Sequence, residues 1–333
     1  MPQAELSANT VEVLKALPEK WRQINAEIDK RIVGQDALIN ELLVAIACRG
    51  HCLLVGVPGL AKTRLINTIG EISSLKFSRI QFTPDMMPSD ITGSEIFDQD
   101  PASGKRQFLF VKGPVFGQLV LADEINRTPP KTQAALLEAM QERRVTVAGH
   151  KYALPDPFFV LATQNPIEQE GTYPLPEAQL DRFMFCLNAN YPNFEEEVEI
   201  LLTTTVDEEA PLATVINANE FVLLQLALRQ VPVPRSVAEY AVKLVRATRP
   251  GASGSLPMID KYLRWGAGPR ACQYLALAAK VYAVLDGRLN ASAADVKKAA
   301  HSVLRHRLIL NYKAEAEQLT QDSIIDELLK TVK

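Results

Sequence analysis

The sequence contains few cysteines and no long apolar run, and each shortage excludes a class of protein. Its 333 residues include four cysteines, at positions 48, 52, 186 and 272, and no two of them form a Cys-x-x-Cys pair. We therefore expect no disulfides. No apolar stretch reaches the ~20 residues of a transmembrane helix, and the first residues lack the apolar core of a signal peptide. The sequence predicts a cytoplasmic protein without a membrane segment.

Neither sign of charge is in large excess. The net charge is −3 at pH 7 and the isoelectric point is ≈ 5.9, so the overall charge does not indicate a nucleic-acid or membrane binder. The apolar fraction of 47% is sufficient for sizeable cores. A chain of this length predicts two domains.

Cys48, His51 and Cys52 lie close together in sequence and could be taken for metal ligands. Free cysteine also behaves as a small apolar residue. We favour the second interpretation, in which Cys52 begins a buried strand and Cys48 packs on the preceding helix.

What the sequence does contain is a glycine-rich turn between an apolar run at residues 52–55 and a helical pattern that opens with Lys62 and Thr63. Backbone N–H groups of such a turn can surround phosphate oxygens, and the helix N-terminus adds the positive end of its dipole. Lys62 can reach the β- and γ-phosphates, and Thr63 can hold Mg²⁺. The turn residues are Gly56, Val57, Pro58, Gly59, Leu60 and Ala61.

Ala61 departs from the phosphate-loop pattern, which has Gly before the Lys. Alanine tolerates helical dihedral angles, so we expect the loop to close with a right-handed conformation at this residue. The alternative is an ordinary strand-to-helix turn, and the adjacent Lys-Thr pair argues against it.

Two carboxylates follow a second apolar run. Residues 119–122 predict a buried strand that ends at Asp123 and Glu124. In triphosphatases an Asp at such a strand end positions Mg²⁺, and the adjacent Glu can orient and polarise the attacking water. A solvated turn is the alternative, and the phosphate loop upstream favours function.

A third apolar run, residues 158–163, ends at Gln164-Asn165-Pro166. Ligands of open α/β sheets bind at the carboxyl ends of the strands. Asn165 could there hold the water or the γ-phosphate, although an Asn before Pro also forms turns.

The remaining patterns divide the chain into an α/β part and a helical part. Helices are predicted over residues 9–30, from 36 to 47, over 60–72 and from about 128 to 143, and a strand over 77–82. Residues 84–106 are predicted to be irregular, and residues 144–154 to form a β-hairpin. After about residue 193 the predictions are helical only, at roughly 194–205, 218–230, 235–248, 268–287, 293–308 and 322–332. The predicted domains are therefore 1–192 and 193–333.

Together these residues resemble the MoxR family of AAA+ ATPases over nearly all of the chain. The resemblance is carried by the loop 56–63, by 122–127 (Ala-Asp-Glu-Ile-Asn-Arg), by 162–166 (Ala-Thr-Gln-Asn-Pro), by 173–183 and by Gly268-Pro269-Arg270. It implies a P-loop core whose parallel sheet is sandwiched by helices, and a C-terminal all-α lid. Residues 84–106 and 144–154 would be the helix-2 insert and the pre-sensor-1 hairpin.

The resemblance also implies roles for single residues. Val33, Gly34 and Gln35 would line the adenine pocket, and the loop 56–63 with Arg64 would bind the phosphates of ATP. Thr63 and Asp123 would hold Mg²⁺, and Glu124 would be the catalytic carboxylate. Asn165 would be sensor 1, Arg182 the arginine finger and Arg270 the sensor-2 arginine, acting on its own nucleotide or on a neighbour's. For Arg182, a surface ion pair with Asp181 is the alternative.

These implied roles lead to one main hypothesis and two alternatives. The first is an ATPase that forms a ring hexamer and remodels, matures or inserts metal into a client, with a partner that has a von Willebrand factor A domain. The second is a nucleic-acid motor that uses the basic hairpin residues Arg143, Arg144, His150 and Lys151. We do not expect it, because Tyr152 is the hairpin's one aromatic residue for stacking bases. A small-molecule kinase is the third, and the Asp-Glu pair, Asn165 and the helical lid argue against it.

Overall fold

Parallel strands form the centre of the computed structural model, which describes residues 6–57, 59–99, 106–167, 171–205, 210–252 and 255–333. The strands are β1 (Cys52–Val55), β2 (Phe77–Gln81), β3 (Gly93–Gln99), β4 (Arg106–Lys112), β5 (Leu119–Asp123), β6 (Arg144–Val147), β7 (His150–Ala153), β8 (Phe159–Gln164), β9 (Phe185–Asn188), β10 (Leu263–Trp265) and β11 (Ile309–Leu310). Within the described ranges, five of them form a parallel sheet in the order β2-β5-β8-β1-β9. Three antiparallel pairs, β3-β4, β6-β7 and β10-β11, accompany it.

Helices surround the sheet and make up most of the C-terminal part. They are α1 (Ala8–Ile28), α2 (Asp36–Ala47), α3 (Lys62–Ser73), α4 (Pro88–Thr92), α5 (Pro130–Glu142), α6 (Glu177–Leu180), α7 (Phe194–Thr204), α8 (Ala218–Gln230), α9 (Arg235–Ala247), α10 (Pro257–Tyr262), α11 (Pro269–Leu285), α12 (Ala293–Leu304), α13 (Tyr312–Ala316) and α14 (Gln321–Thr331). The predicted helices are confirmed with small shifts at their ends, including α1, which continues through Pro18.

Alternate residues of the central strands enter two different apolar clusters. On β5, Leu119 and Leu121 belong to the first cluster, whereas Val120 and Ala122 belong to the second. The first cluster also includes side chains of α1, α2 and α3, and the second includes those of α5 and β6. Because successive side chains of a strand point to opposite faces, both faces of the sheet are covered. The predicted helix-sheet-helix arrangement is confirmed.

The C-terminal helices join the first cluster rather than forming a separate core. Gln225 on α8 donates a hydrogen bond to the carbonyl oxygen of Ile46 on α2, at 2.7 Å. Arg305, just after α12, donates to the carbonyl oxygen of Cys186 on β9, also at 2.7 Å. The two parts of the chain are therefore joined by apolar packing and by hydrogen bonds, and the division at residues 192 and 193 stays a prediction.

Three short strands were missed. β9 is an apolar run that pairs with β1 at the sheet edge, and β10 and β11 form a small ribbon among helices where we predicted no strands. Strands as short as these have too few residues for an alternating pattern to stand out, and their pairing depends on segments distant in sequence.

The prediction that residues 84–106 are irregular holds for residues 84–87 and was wrong for residues 88–99 and 106. Residues 100–105 lie outside the described ranges. Pro88 begins α4, a position where its missing N–H costs no hydrogen bond. β3 then pairs with β4, from Gly93 opposite Lys112 to Gln99 opposite Arg106. Pro88 and Gly93, two of the residues that suggested a loop, lie instead at the starts of these elements.

The predicted hairpin of residues 144–154 is confirmed as β6-β7, and an aromatic contact ties it to β4. The ring of Tyr152 stacks on Phe110, with centroids 4.0 Å apart and planes 19° apart. Phe110 also meets Phe116 edge-on at 5.8 Å. The hairpin β6-β7 therefore packs against strand β4. Among the described residues, no helix combines the length and the apolar character needed to cross a membrane.

His51 connects the sheet to α5 through both ring nitrogens. Its Nδ1 accepts a hydrogen bond from the Val160 N–H at 3.0 Å, and its Nε2 donates to the carbonyl oxygen of Met140 at 3.2 Å. Burial, assisted by the positive charge of Arg143, lowers the pKa of His51 to about 3. Cys52 begins β1 and Cys48 is buried directly after α2, so the structural interpretation of this cluster is confirmed.

We expect the neutral His51 ring to make the folded protein sensitive to acid. The unfolded chain binds a proton here near pH 6.5, whereas the folded chain does so only near pH 3. The unfolded state therefore binds more protons between these values, and the free energy of unfolding falls as the pH drops through them. At about pH 5 the loss from this residue is about 2 kcal/mol. Urea denaturation at about pH 7.5 and about pH 5 measures it.

His51→Gln is the matched variant, because an amide can both accept from Val160 and donate to Met140 but does not titrate. We expect a smaller loss of stability at low pH, with a remainder from His306, whose pKa burial also lowers. His150→Gln, an exposed position on β7, is the control and keeps the full loss. Equal pH dependence in the His51→Gln and unsubstituted proteins contradicts the interpretation.

Candidate active site

The glycine-rich turn connects β1 to α3, as predicted. A Cβ at Gly56 would lie 2.7 Å from the Cβ of Ala189. The chain therefore needs glycine here, where the segments that follow the parallel strands β1 and β9 come close together. Gly59 has φ +87° and open space around it, which leaves its backbone accessible to a ligand. Pro58 lies outside the described residues.

Ala61 does not have the right-handed conformation that we expected. Its φ and ψ are 51° and 21°, in the left-handed region. Alanine pays a steric cost there that glycine does not, which explains why the phosphate-loop pattern has Gly at this position. Gln35 and Glu124 are also left-handed non-glycine residues, with φ 61° and 57°. Such strain is concentrated at functional sites in proteins.

The turn and the ends of β2, β5 and β8 enclose a cavity of about 500 Å³. This volume is in the usual range for a small-molecule site. The cavity is lined by Gly59, Leu60, Ala61, Lys62, Thr63, Arg64, Arg79, Gln81, Asp123, Glu124, Thr163 and Asn165. The structure thus brings together the predicted lysine, threonine, carboxylates and asparagine.

Lys62 lies over its own loop, where Nζ donates to the carbonyl oxygen of Gly56 at 2.6 Å. Burial lowers the pKa of Lys62, and the nearby carboxylates of Asp123 and Glu124 oppose that shift. The cation is therefore held between the turn and the two acids.

Hydrogen bonds connect the predicted carboxylates in a closed circuit. Asp123 accepts from the Thr163 hydroxyl (2.7 Å) with Oδ1 and from Arg79 (2.7 Å) with Oδ2. The Thr163 oxygen accepts the Glu124 N–H at 2.9 Å. Arg79 donates to the Gln81 side chain at 2.5 Å, and Gln81 donates to Glu124 Oε2 at 3.0 Å. Both acids are therefore fixed in orientation.

Sequence reasoning missed four residues of this arrangement. Arg79 and Gln81 lie on the same face of β2, and Gln81 is opposite Asp123 in the sheet register. Thr163 lies at the end of β8. Arg127 pairs with Glu124 Oε2 at 2.9 Å. Alternating polar residues at the end of an otherwise strand-like segment were the sequence feature that could have indicated Arg79 and Gln81.

Asn165 forms a turn and also lines the cavity, and its role toward a water or a phosphate stays a prediction. The side chain is buried, and its Oδ1 accepts a hydrogen bond from the Ile167 N–H at 3.1 Å. This hydrogen bond closes a turn around Pro166. Because the oxygen is used locally, its amide NH₂ is the group that can donate into the cavity.

Val33, Gly34 and Gln35 lie between α1 and α2, and within the described residues none of the three lines this cavity. Gly34 has φ +69°, and a Cβ there would lie 2.5 Å from the Glu196 carboxylate of α7. Their place at an adenine ring stays a prediction.

Arg182 and Arg270 line a different cavity, of about 590 Å³, and not the one that contains Lys62. Asp181 pairs with Arg270 at 3.0 Å and with the buried Arg307 at 2.8 Å, so the alternative of an Arg182–Asp181 ion pair was wrong. The Tyr274 hydroxyl holds the Arg182 carbonyl oxygen at 3.2 Å. This second site, the basic cavity, is lined by Cys48, Arg49, His51, Met140, Gln141, Arg143, Arg182, Arg229, Val233, Arg270, Gln273, Tyr274, Ala276, Leu277 and Lys280.

Comparison with known proteins gives matches over most of the chain. Residues 51–185 match the model of the ATPase family associated with various cellular activities (AAA), and residues 257–328 match that of the AAA lid domain. The chaperone MoxR1 of Mycobacterium tuberculosis is 43% identical over 92% of this chain and 80% of the relative. Protein MoxR of Methylorubrum extorquens is 31% identical over 95% and 97%. The crystal structure of a Cytophaga hutchinsonii protein superimposes with TM-score 0.90, at 42% identity, over 97% of both chains.

We expect Thr163→Val to destabilise the protein through the carboxylate circuit. The change removes the donor to Asp123 and leaves the Glu124 N–H without its acceptor, and an unsatisfied buried group costs about 1–3 kcal/mol. Urea denaturation measures the loss. Thr68→Val is the control, because Thr68 is equally buried and its hydroxyl has no hydrogen-bond partner among the described residues. Equal effects of the two substitutions contradict a special role of Thr163.

Proposed function

Since the chain belongs to the MoxR family of AAA+ ATPases, we propose that it hydrolyses ATP with Mg²⁺ and uses the energy to remodel, mature or insert metal into a client protein. The observation that carries the proposal is the common cavity of Lys62, Thr63, Asp123, Glu124 and Asn165. A cation, a hydroxyl, two carboxylates and an amide donor are the groups that phosphoryl transfer to water requires.

ATP would bind with its phosphates over the turn at residues 56–61. The N-terminus of α3 would present backbone N–H groups and the positive end of the helix dipole to these phosphates. Lys62 would leave the carbonyl oxygen of Gly56 and donate to the β- and γ-phosphates. Arg64 would contribute from the same helix, and Val33, Gly34 and Gln35 would contact adenine.

The donor atoms fit Mg²⁺. Thr63 offers a hydroxyl and Asp123 a carboxylate, and Mg²⁺ is usually held by one or two such oxygens together with substrate phosphates. No group of three or more His, Cys, Asp or Glu residues suited to a metal occurs in the described part of the chain, which agrees with a site completed by the nucleotide. Bound Mg²⁺ would neutralise phosphate charge. Arg79 now occupies Asp123 Oδ2 and would have to release it.

Glu124 would accept the proton of the attacking water. Gln81 and Arg127 both donate to its Oε2, so the carboxylate is oriented while Oε1 is left for water. Asn165 would donate its amide to the water or to the γ-phosphate.

Arg182 and Arg270 would complete the site of a neighbouring copy. Among the described residues the two cavities share no lining residue, so neither arginine lines the cavity at the phosphate turn of its own chain. Transition-state charge on the phosphoryl group is strongly stabilised by an arginine. A ring in which each copy supplies these arginines to the next, a hexamer in our proposal, would meet this requirement.

A client and a partner would use other surfaces. The chaperone activity in the name of the Mycobacterium tuberculosis relative supports work on a client protein, and we propose a partner with a von Willebrand factor A domain, in the cytoplasm. The hairpin β3-β4 would transmit motion to the client, since it exposes Phe97 and Phe108.

The nucleic-acid alternative is weakened because Tyr152 stacks on Phe110 and Arg143 pairs with Asp156.

Two substitutions separate binding from turnover. We expect Lys62→Ala to abolish ATP binding, because the cation over the phosphates is lost. Glu124→Gln should keep binding but lower turnover by about a hundredfold or more, because an amide cannot take the proton. Equilibrium binding of a fluorescent ATP analogue and phosphate release measure the two effects. Glu12→Gln, exposed on α1, is the control, and normal hydrolysis by Glu124→Gln would contradict the assignment.

The Glu124→Gln protein with ATP and Mg²⁺ also tests the client. We expect it to retain protein clients or a von Willebrand A-domain partner from lysate of its own cell type. Recovery of nuclease-sensitive nucleic acid instead would favour the motor.

Mixing two inactive variants tests whether Arg182 acts between copies. Arg182→Ala should bind ATP and fail to hydrolyse it, because the phosphoryl charge lacks its stabilising cation. Lys62→Ala retains Arg182 but binds no ATP. We expect the mixture to recover part of the activity in a phosphate-release assay, since a Lys62→Ala copy can supply Arg182 to an ATP-bound neighbour. No recovery at any ratio, with mixed assembly verified by sedimentation, contradicts action between copies.

A further inference from the structure

Helix α7 presents its apolar side to solvent. Among its described residues none is buried, although Phe194, Val198, Leu201 and Leu202 follow helical spacing and form one stripe. Phe194, Leu201 and Leu202 are 74%, 62% and 67% exposed. An amphipathic helix of a monomer normally turns such a stripe toward the core. Within the described residues, the stripe of α7 is not covered by an apolar surface of its own chain.

The contact between α7 and the rest of the chain explains this orientation. Glu196 lies beside Gly34 and closes the helix cap, accepting the Asn193 N–H at 2.8 Å. At 100° per residue, Glu196 is on the opposite side of the helix from Leu201 and Leu202. The stripe therefore points away from the protein, next to the loop that we propose for adenine.

Acidic residues border the stripe. Glu195 and Glu199 flank it on one side and Glu197 on the other, and all three are exposed. Among the residues described, none of these three forms an ion pair with a basic side chain. The outer face of α7 is thus apolar in the middle and negative at its edges.

A complementary face lies on α8 and the basic cavity. Leu223 and Leu226 of α8 are 54% and 47% exposed, and helical spacing places them beside the exposed Arg229. Arg229 lines the basic cavity with Lys280 and further arginines, and none of the described lining residues is acidic. Burial and the charge of Arg229 lower the pKa of Lys280. Arg49 and Arg143 of the lining pair with Asp156, and Arg270 pairs with Asp181. Arg229 and Lys280 themselves form no ion pair within the described residues.

We propose that the outer face of α7 in one copy docks on α8 and the rim of the basic cavity in the next copy. The apolar stripe would cover Leu223 and Leu226, and the glutamates would meet Arg229 and Lys280. This inference rests on the proposed shared ATP site, because α7 adjoins the nucleotide side of one copy and the basic cavity contains Arg182 and Arg270 for the next. The same contact would bring both halves of the site together.

Charge reversal tests the pairing with two variants. The first carries Glu197→Lys and Glu199→Lys on α7, and the second carries Arg229→Glu on α8. Each variant alone would place like charges against each other at the contact. We therefore expect its association constant in the presence of ATP, measured by sedimentation, to fall about tenfold. A mixture restores opposite charges at every contact when the two variants alternate around the ring, so we expect it to assemble and hydrolyse ATP. Normal assembly of each variant alone, or failure of the mixture, overturns the inference.

Leu202→Glu provides an independent measurement on the stripe. We expect it to block assembly while leaving ATP binding by the separate copies unchanged, with folding verified by circular dichroism. Val242→Glu, another exposed apolar position, on α9, is the matched control and should assemble normally. If both variants assemble, the docking inference is wrong and the shared site stands. If the unsubstituted protein neither assembles nor hydrolyses ATP, the proposed function fails and the docking inference with it.

Discussion

The direction of the parallel strands is the constraint on which the candidate site depends. Because β2, β5 and β8 all end at the same edge of the sheet, Gln81 reaches Glu124 and Thr163 reaches Asp123. Each acid then receives two donors from neighbouring strands or turns. A charge so surrounded keeps its orientation without substrate, which is the condition for stabilising a transition state at little reorganisation cost.

The second organising interaction is the buried guanidinium of Arg307. It pairs with Asp181 and donates to the carbonyl oxygens of Phe183 and Met184, so its charge is paired and its donors are used. These contacts fix the segment that carries Arg182 to the C-terminal part of the chain, whose helices also share the first apolar cluster with the sheet. Motion of those helices would therefore be transmitted to the segment that carries Arg182.

Much of the fold could be predicted because its patterns are local. The apolar spacing of α1, α8 and α12 and the glycine-rich turn before Lys62 each lie within a few residues of sequence. The β3-β4 hairpin could not be predicted in this way, because its strands are stabilised by pairing with each other and by the Phe110–Tyr152 contact. The conformation of Ala61 could not be predicted either. The residue type gives only a preference for certain backbone dihedral angles, whereas the closure of the loop sets their values.

The sequence by itself determined which chemical groups are available to the candidate site and the order in which the chain presents them. Only the tertiary structure decided their partners. Arg79 meets Asp123 and Gln81 meets Glu124 because parallel pairing sets these segments side by side. It also separated Arg182 and Arg270 from Lys62, in a cavity of their own. Hydrogen bonds and ion pairs act over a few ångströms, and the fold alone determines which distant residues come that close.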